Sequence, residues 1–290
     1  MDMNKKIDKT GKKLGVIGGM GPEATSYFYE SLIAHTVADR DQDHIDMVIL
    51  SHASMPDRTG AILAGGDREE DLLRKLIEDA KTLERLGASN IAIPCNTSHY
   101  YYEQIQNAVG ISIINMVEES VKAAASRISG TVKESHIFGT PEESLSGGGL
   151  PKTSGAQEDD KQAAFGSTAS GRPQQAARKI GIMATDGTLR SGVYDKVCQA
   201  LGIQAVHPSK DRQRDVMSLI YDEVKQGKPG DPDKFRRVTE ELIAAGCDTV
   251  ILACTELSVF KSKNQIPEFC LDAMDILVRE SILRSGANYK

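Results

Sequence analysis

Hydrophobic positions along this chain follow two periods that take turns. Short apolar runs at "KLGVIGG" (13–19), "HIDMVILSHAS" (44–54), "NIAIPC" (90–95) and "ISIINM" (111–116) read as strands buried on both faces. The stretches between them carry apolar residues at helical spacing. "MGPEATSYFYESLIAHTV" (20–37) has Pro22 near its start, "EEDLLRKLIEDAKTLERLGA" (69–88) is amphipathic and stops at Gly87, and "YYEQIQNAVG" is a shorter helix. Strands that alternate with helices predict βαβ units and a parallel sheet.

The pattern then starts again. "KIGIMATDGTLRSGVYDKVCQALG" (179–202) is strand, Gly-containing turn and helix; "IQAVHPS" (203–209) is strand-like; "VTEELIAAGC" (238–247) is an amphipathic helix ahead of the strand "TVILAC" (249–254). "IPEFCLDAMDILVRESIL" (266–283) parallels "ISIINMVEESVKAA" (111–124). The expected fold is therefore α/β: two duplicated Rossmann-like domains, each with a parallel sheet, and an active-site cleft between them. The expected first domain is 1–117 plus 273–290, and the second is 118–272. Residues 139–175, rich in Gly, Ser, Pro and charge, separate the repeats; that composition predicts a disordered surface insertion.

Composition narrows the function classes. The chain has 290 residues and a formal charge of −6, with no basic stripe for nucleic acid. No apolar run approaches the roughly 20 residues that span a bilayer. The polar, Lys-rich start lacks the apolar centre of a signal peptide. The five cysteines show no close metal-type pairs and no disulfide framework, so a cytoplasmic location and free thiols are expected. Nothing in the sequence calls for a metal or another cofactor.

The glycine run "GVIGGMGPEAT" is not the G-x-G-x-x-G of dinucleotide sites, and no acidic residue closes the second strand. It reads instead as a tight turn whose N–H groups face a small anion. Cys95 and Cys254 carry more information. Each ends an apolar run, where ligands of parallel α/β sheets sit, and each precedes a helix start expected to lower the thiol pKa. Duplication would set the two thiols on opposite walls of one cleft. Inversion at a Cα suits that arrangement, because one thiolate removes a proton and the other thiol returns one to the opposite face. Cys198, Cys247 and Cys270 read as buried, inert residues, and His99 with Tyr100–Tyr102 as packing.

Several segments in order, "GGMGPEAT", "PDRT" (56–59), "PCNTSH" (94–99), "RDVMSLIYDEVKQG" (214–227) and "ACTEL" (253–257), resemble the aspartate/glutamate racemase family, and its aspartate racemase branch most. The resemblance implies a racemase that needs no pyridoxal phosphate, with Cys95 and Cys254 catalytic. It implies that Arg58 and Lys225 read the side-chain carboxylate of L- or D-aspartate. Asn96, Thr97, Ser98 and Thr255 fall on positions that hold the α-carboxylate and amino group. A small amino acid is the expected partner, with no nucleic acid or membrane, and the chain is expected to be a homodimer. Racemisation of glutamate or of a broader set of amino acids, and a non-catalytic sensor of acidic amino acids, are the alternatives.

Overall fold

The computed structural model describes residues 12–130 and 178–290; the expected disordered insertion at 139–175 lies outside the described residues. Two four-stranded sheets, all parallel, organise them. The first has the order β2-β1-β3-β4, formed by β1 (Lys13–Gly18), β2 (Met47–Ser51), β3 (Ala88–Ala92) and β4 (Ser112–Ile113). The second repeats that order as β6-β5-β7-β8, from β5 (Lys179–Ala184), β6 (Gln204–Val206), β7 (Thr249–Ala253) and β8 (Cys270–Asp272). The duplicated Rossmann-like pattern expected from the sequence is thus present, strand for strand. Strands β2, β4 and β6 are shorter than their apolar runs, because only the residues paired with β1, β3 or β5 hold ladder geometry.

The central strands are apolar on both faces because helices cover both. Helix α1 (Pro22–His35), α2 (Arg58–Ala64), α3 (Asp67–Arg85) and α4 (Tyr102–Gln106) belong to the first repeat. Along α3, Leu72, Leu76, Ala80 and Leu83 are buried while acidic and basic residues line the other side, which is the period of one helix face. Helix α5 (Met116–Ile128) leaves β4 and packs on the second repeat, against β7 and α7 (Val193–Ala200). Helix α6 (Asp186–Ser191), α8 (Lys210–Ser218), α9 (Pro232–Ala244) and α10 (Thr255–Lys263) complete that repeat. Helix α11 (Ala273–Arg284) returns to lie against α1 and α5. The chain end is tied to α1 by backbone bonds from Val37 to Asn288 (2.9 Å) and from Lys290 to His35 (2.9 Å).

The loops that follow β1, β3, β5 and β7 converge at the carboxyl ends of the two sheets, where parallel α/β proteins bind ligands. In the first of them Gly19 has φ +85° and a Cβ there would stand 2.4 Å from the His52 backbone nitrogen, so only glycine fits the turn. A closer junction joins the repeats. The Cα of Gly187, in α6, has no room for a side chain: a Cβ would stand 2.8 Å from Thr59 Cα in α2. Gly187→Ala should therefore push α2 from α6 and cost about 1–3 kcal/mol of stability, as overpacking does. Urea unfolding of this variant tests the junction; an unchanged midpoint would mean the two helices separate freely.

Candidate active site

One cavity of about 260 Å³ lies between the repeats, lined by Cys95, Asn96, Thr97 and Arg58 from the first and by Thr185, Lys225, Cys254, Thr255 and Glu256 from the second. Asp57, Thr59, Tyr221 and Met20 complete its wall. Seven of the eight residues singled out from the sequence thus meet in one place: Cys95, Cys254, Arg58, Asn96, Thr97, Lys225 and Thr255. Ser98 does not line the cavity. It is fully buried behind it and bonds the Met20 sulfur at 3.5 Å.

The floor is made of hydroxyls. Thr97 Oγ1 lies 2.9 Å from Thr188 Oγ1 and 3.2 Å from Thr185 Oγ1, and Thr59 Oγ1 donates to Thr185 Oγ1 at 3.2 Å. Thr185 caps α6, its oxygen accepting from the Thr188 N–H at 3.3 Å. Asn96 is anchored by the Tyr194 hydroxyl, which donates to its Oδ1 at 2.5 Å, while its buried Nδ2 has no hydrogen-bond partner among the described residues. His99 fixes the Cys95 backbone. Its Nδ1 bonds the Cys95 carbonyl (2.9 Å) and its Nε2 accepts from the Met116 N–H (3.1 Å), which sets the neutral tautomer. Burial lowers the His99 pKa and keeps the ring uncharged. The packing role expected for His99 is what it performs, with the added effect of holding the thiol's own peptide.

Arg58 is buried and donates from its terminal nitrogens to the carbonyls of Pro56 (3.2 Å) and Met20 (3.0 Å). Its Nε has no hydrogen-bond partner among the described residues. Burial works against the charge, but Cys95, Asp57 and Glu256 beside it raise its pKa, so the guanidinium is cationic. Asp57 caps α2, accepting from Gly60 N–H, and also accepts from the Tyr221 hydroxyl at 3.1 Å. Beyond α8 the helix widens into a π turn, Leu219–Glu223, then tightens into a 3₁₀ turn, Val224–Gln226. That change of pitch brings Tyr221 and Lys225 to the cavity together, with the Lys225 ammonium 4.5 Å from the Tyr221 ring centre.

The two thiols differ. Cys254 caps α10, yet its pKa is pushed well above that of a free thiol, by burial first and by Glu256 next. Its Sγ donates to Glu256 Oε2 at 2.9 Å, and Glu256 Oε1 lies 3.5 Å from Lys225 Nζ. A thiolate stabilised by the helix start was expected here. The fractional charge of a helix end does not outweigh a buried carboxylate in contact. Cys95, unlike Cys254, does not begin an α-helix; a 3₁₀ turn, Thr97–Tyr101, follows it, and the Arg58 guanidinium stands beside it. All five cysteines are free and buried. Burial lifts Cys198 to about 11 and Cys270 to about 12, in keeping with the inert role expected for them. Glu256, Asp57, Tyr221 and Thr185 were not picked out from the sequence, although the first three stand inside the segments "ACTEL", "PDRT" and "IYDEVK".

A second hollow of about 630 Å³ adjoins the cavity past Arg58, Lys225 and Glu256, walled by Ala24, Ala53, Val224 and Val259. Among the described residues no helix is long and apolar enough to cross a membrane, and no cluster of three or more His, Cys, Asp or Glu is placed to hold a metal ion.

The profile of the Asp/Glu/hydantoin racemase family matches residues 17–146 and 162–281. The broad specificity amino-acid racemase RacX of Bacillus subtilis is 24% identical over 277 residues, covering 93% of this chain and 96% of that protein. The aspartate racemase of Picrophilus torridus superposes with a TM-score of 0.65 at 24% identity, over 97% of this chain and 96% of its own. A glutamate racemase, isoform RacE1 of Bacillus anthracis, superposes at 0.53 with 13% identity, over 94% and 80% of the two chains. These structural likenesses establish the fold.

His99 yields a test of the site's support. A buried neutral histidine has its pKa below the ordinary 6.5, so the unfolded chain takes up the proton first as pH falls. The stability this group gives is complete above that value and is lost on acidification below it. Replacing it by Leu leaves the Met116 N–H and one acceptor on Cys95 unpaired, at about 1–3 kcal/mol. Urea unfolding across pH should show His99→Leu less stable at neutral pH, with a shallower decline in acid; parallel curves would assign the acid decline to other groups.

Proposed function

Because the chain belongs to the Asp/Glu/hydantoin racemase family, we propose that it interconverts L- and D-aspartate without pyridoxal phosphate, using Cys95 and Cys254 as the acid–base pair. The observation that carries this reading is that both thiols line one cavity together with the cations Arg58 and Lys225. A dicarboxylic amino acid needs cationic partners for its side chain and donors for its α-carboxylate. The unpartnered Arg58 Nε and Asn96 Nδ2, with the hydroxyls of Thr97 and Thr255, are such donors. One thiolate takes the Cα proton and the opposite thiol supplies another, so the number of protons on the enzyme is unchanged by each inversion.

A broader substrate range has its own support in the adjoining apolar-walled hollow. One methylene is worth only about 1–3 kcal/mol in a pocket, so glutamate competes on the same terms. A sensor without turnover would have no use for a second thiol. We also place the protein in the cytoplasm as a homodimer; the exposed apolar row Tyr29, Ile33 and Val37 on and after α1 supports association, and sedimentation tests it.

Chiral separation of products from each L-amino acid decides the substrate: aspartate turns over fastest on the main reading, and comparable rates on neutral amino acids would favour the broader one. Cys95→Ala and Cys254→Ala each abolish racemisation. In deuterated water the early product carries solvent deuterium while recovered substrate carries little. Full-rate racemisation by Cys254→Ala would end the two-thiol mechanism. Arg58→Lys, which keeps the charge but loses the fork, should lower kcat/KM for aspartate, up to the roughly 2–5 kcal/mol of a lost charge-assisted pair. An unimpaired Arg58→Lys enzyme would remove Arg58 from carboxylate reading.

A further inference from the structure

The two thiols of the cavity sit in different surroundings, and beside burial the difference at Cys254 is a carboxylate, that of Glu256. Glu256 stands between Cys254 and Lys225, accepting from the thiol at 2.9 Å and facing the ammonium at 3.5 Å. It also accepts from the Thr255 hydroxyl, at 3.5 Å. Cys95 has the guanidinium of Arg58 beside it instead. One cysteine faces a carboxylate and its partner faces a cation.

We infer that Glu256 is a positioning residue that holds Cys254 as the protonated thiol in the free enzyme, so that the resting enzyme removes a proton with Cys95 and returns one with Cys254. This rests on the two-thiol reading above and goes beyond it by giving the resting enzyme a hand. In the first half of a turnover the Cys95 sulfur takes the Cα proton and the Cα–H electron pair stays on carbon. In the second half the Cys254 S–H bond breaks, its proton joins Cα from the other side, and Cys254 is left as thiolate. The resting state returns when Cys95 releases a proton to water and Cys254 takes one up. No proton is gained or lost over the cycle.

The groups that face Cys254 pull against one another. Burial and Glu256 favour the thiol; Lys225 opposes them. Tyr221 and Tyr194 stand near it, and burial raises both phenols, so both are neutral at ordinary pH and contribute no charge. Arg58 and Asp57 line the opposite wall as an adjacent cation and anion. Glu256 is therefore the anion that decides the balance at Cys254. The same carboxylate also screens Lys225, so a substrate carboxylate that engages Lys225 competes with Glu256 for it.

Labelling by iodoacetamide, followed for each cysteine by peptide mass spectrometry across pH, reads the thiolate fraction without any turnover. At neutral pH, Glu256→Gln should be labelled at Cys254 about tenfold faster than the parent enzyme or more, the change expected for one unit of pKa. Glu256→Asp, which keeps the charge, should lie nearer the parent. Lys225→Met, which removes the opposing cation, should be labelled more slowly. Cys198, Cys247 and Cys270 are buried and report on folding, since an unfolded variant labels all three. If Glu256→Gln fails that check, Lys225→Met decides. Equal labelling of Cys254 in the parent and a folded Glu256→Gln overturns the assignment, as does unchanged or faster labelling of Lys225→Met. Failure of the two-thiol reading shows elsewhere, as racemisation that survives loss of one cysteine.

Discussion

Four threonine hydroxyls, on Thr59, Thr97, Thr185 and Thr188, join the two repeats at the base of the cleft, and the geometry of the site depends on that contact. Each hydroxyl has one proton and two acceptor sites, so Thr97, Thr185 and Thr188 close a triangle without a charge, and Thr59 donates into it at Thr185. Because Thr59 and Thr97 come from the first repeat and Thr185 and Thr188 from the second, the cluster ties the loop that carries Cys95 to the start of α6 in the second repeat. Gly187 allows the approach, since any side chain there would meet Thr59. A network of this kind in a dry contact is strong when complete and costly when one member is lost.

Duplication gives the cleft its shape, and divergence within the repeats gives it chemistry. The loops after β3 and β7 each carry a cysteine and a threonine, as Cys95-Asn96-Thr97 in one and Cys254-Thr255-Glu256 in the other. After Cys95 and Asn96 the chain turns through 3₁₀ geometry and is clamped by His99 on the Cys95 carbonyl. After Cys254 and Thr255 it enters α10 with Glu256 in the first turn. A helix end offers a thiol about half a charge at the edge of the protein, whereas a buried carboxylate in contact offers a full one. The two related loops thus present thiols in opposite electrostatic settings.

The fold was legible because hydrophobic period is set by which faces are covered. Both sheets bury both faces of their central strands, so β1, β5 and β7 read as apolar runs after their first residue, and β3 as one from Ile91 onward. Shorter strands such as β4 read too long, since an apolar residue beyond the last ladder bond stays buried without being a strand. At the site, the cysteines were visible from their place after those runs. Arg58 and Lys225 were not separable from surface cations by their spacing; only the surrounding segments marked them. Ser98 was misplaced because adjacent residues in a 3₁₀ turn point in different directions, and Thr97 takes the cavity side while Ser98 takes the core. Glu256 gave no sign, because its effect requires knowing that Lys225, thirty-one positions earlier, reaches it.

The charges in the cavity explain why two cations can wait there without a ligand. An unpaired charge in a half-dry cleft costs several kcal/mol, so each cation needs a resident partner. Arg58 has Asp57 beside it, and Lys225 has Glu256. The two partners are held differently. Asp57 is fixed by the α2 cap and by the Tyr221 hydroxyl, so it stays whether or not the cleft is filled. Glu256 is held by a thiol and an ammonium, both of which have other work when an amino acid enters. Arg58 keeps a free Nε despite its neighbours, while Lys225 must share its charge. On the proposed reading, an entering side-chain carboxylate would meet a rigid recognition point at Arg58 and an exchangeable one at Lys225. That exchange would act on the carboxylate that touches Cys254, and on this reading Glu256 would join the recognition of the substrate's far end to the proton at its Cα.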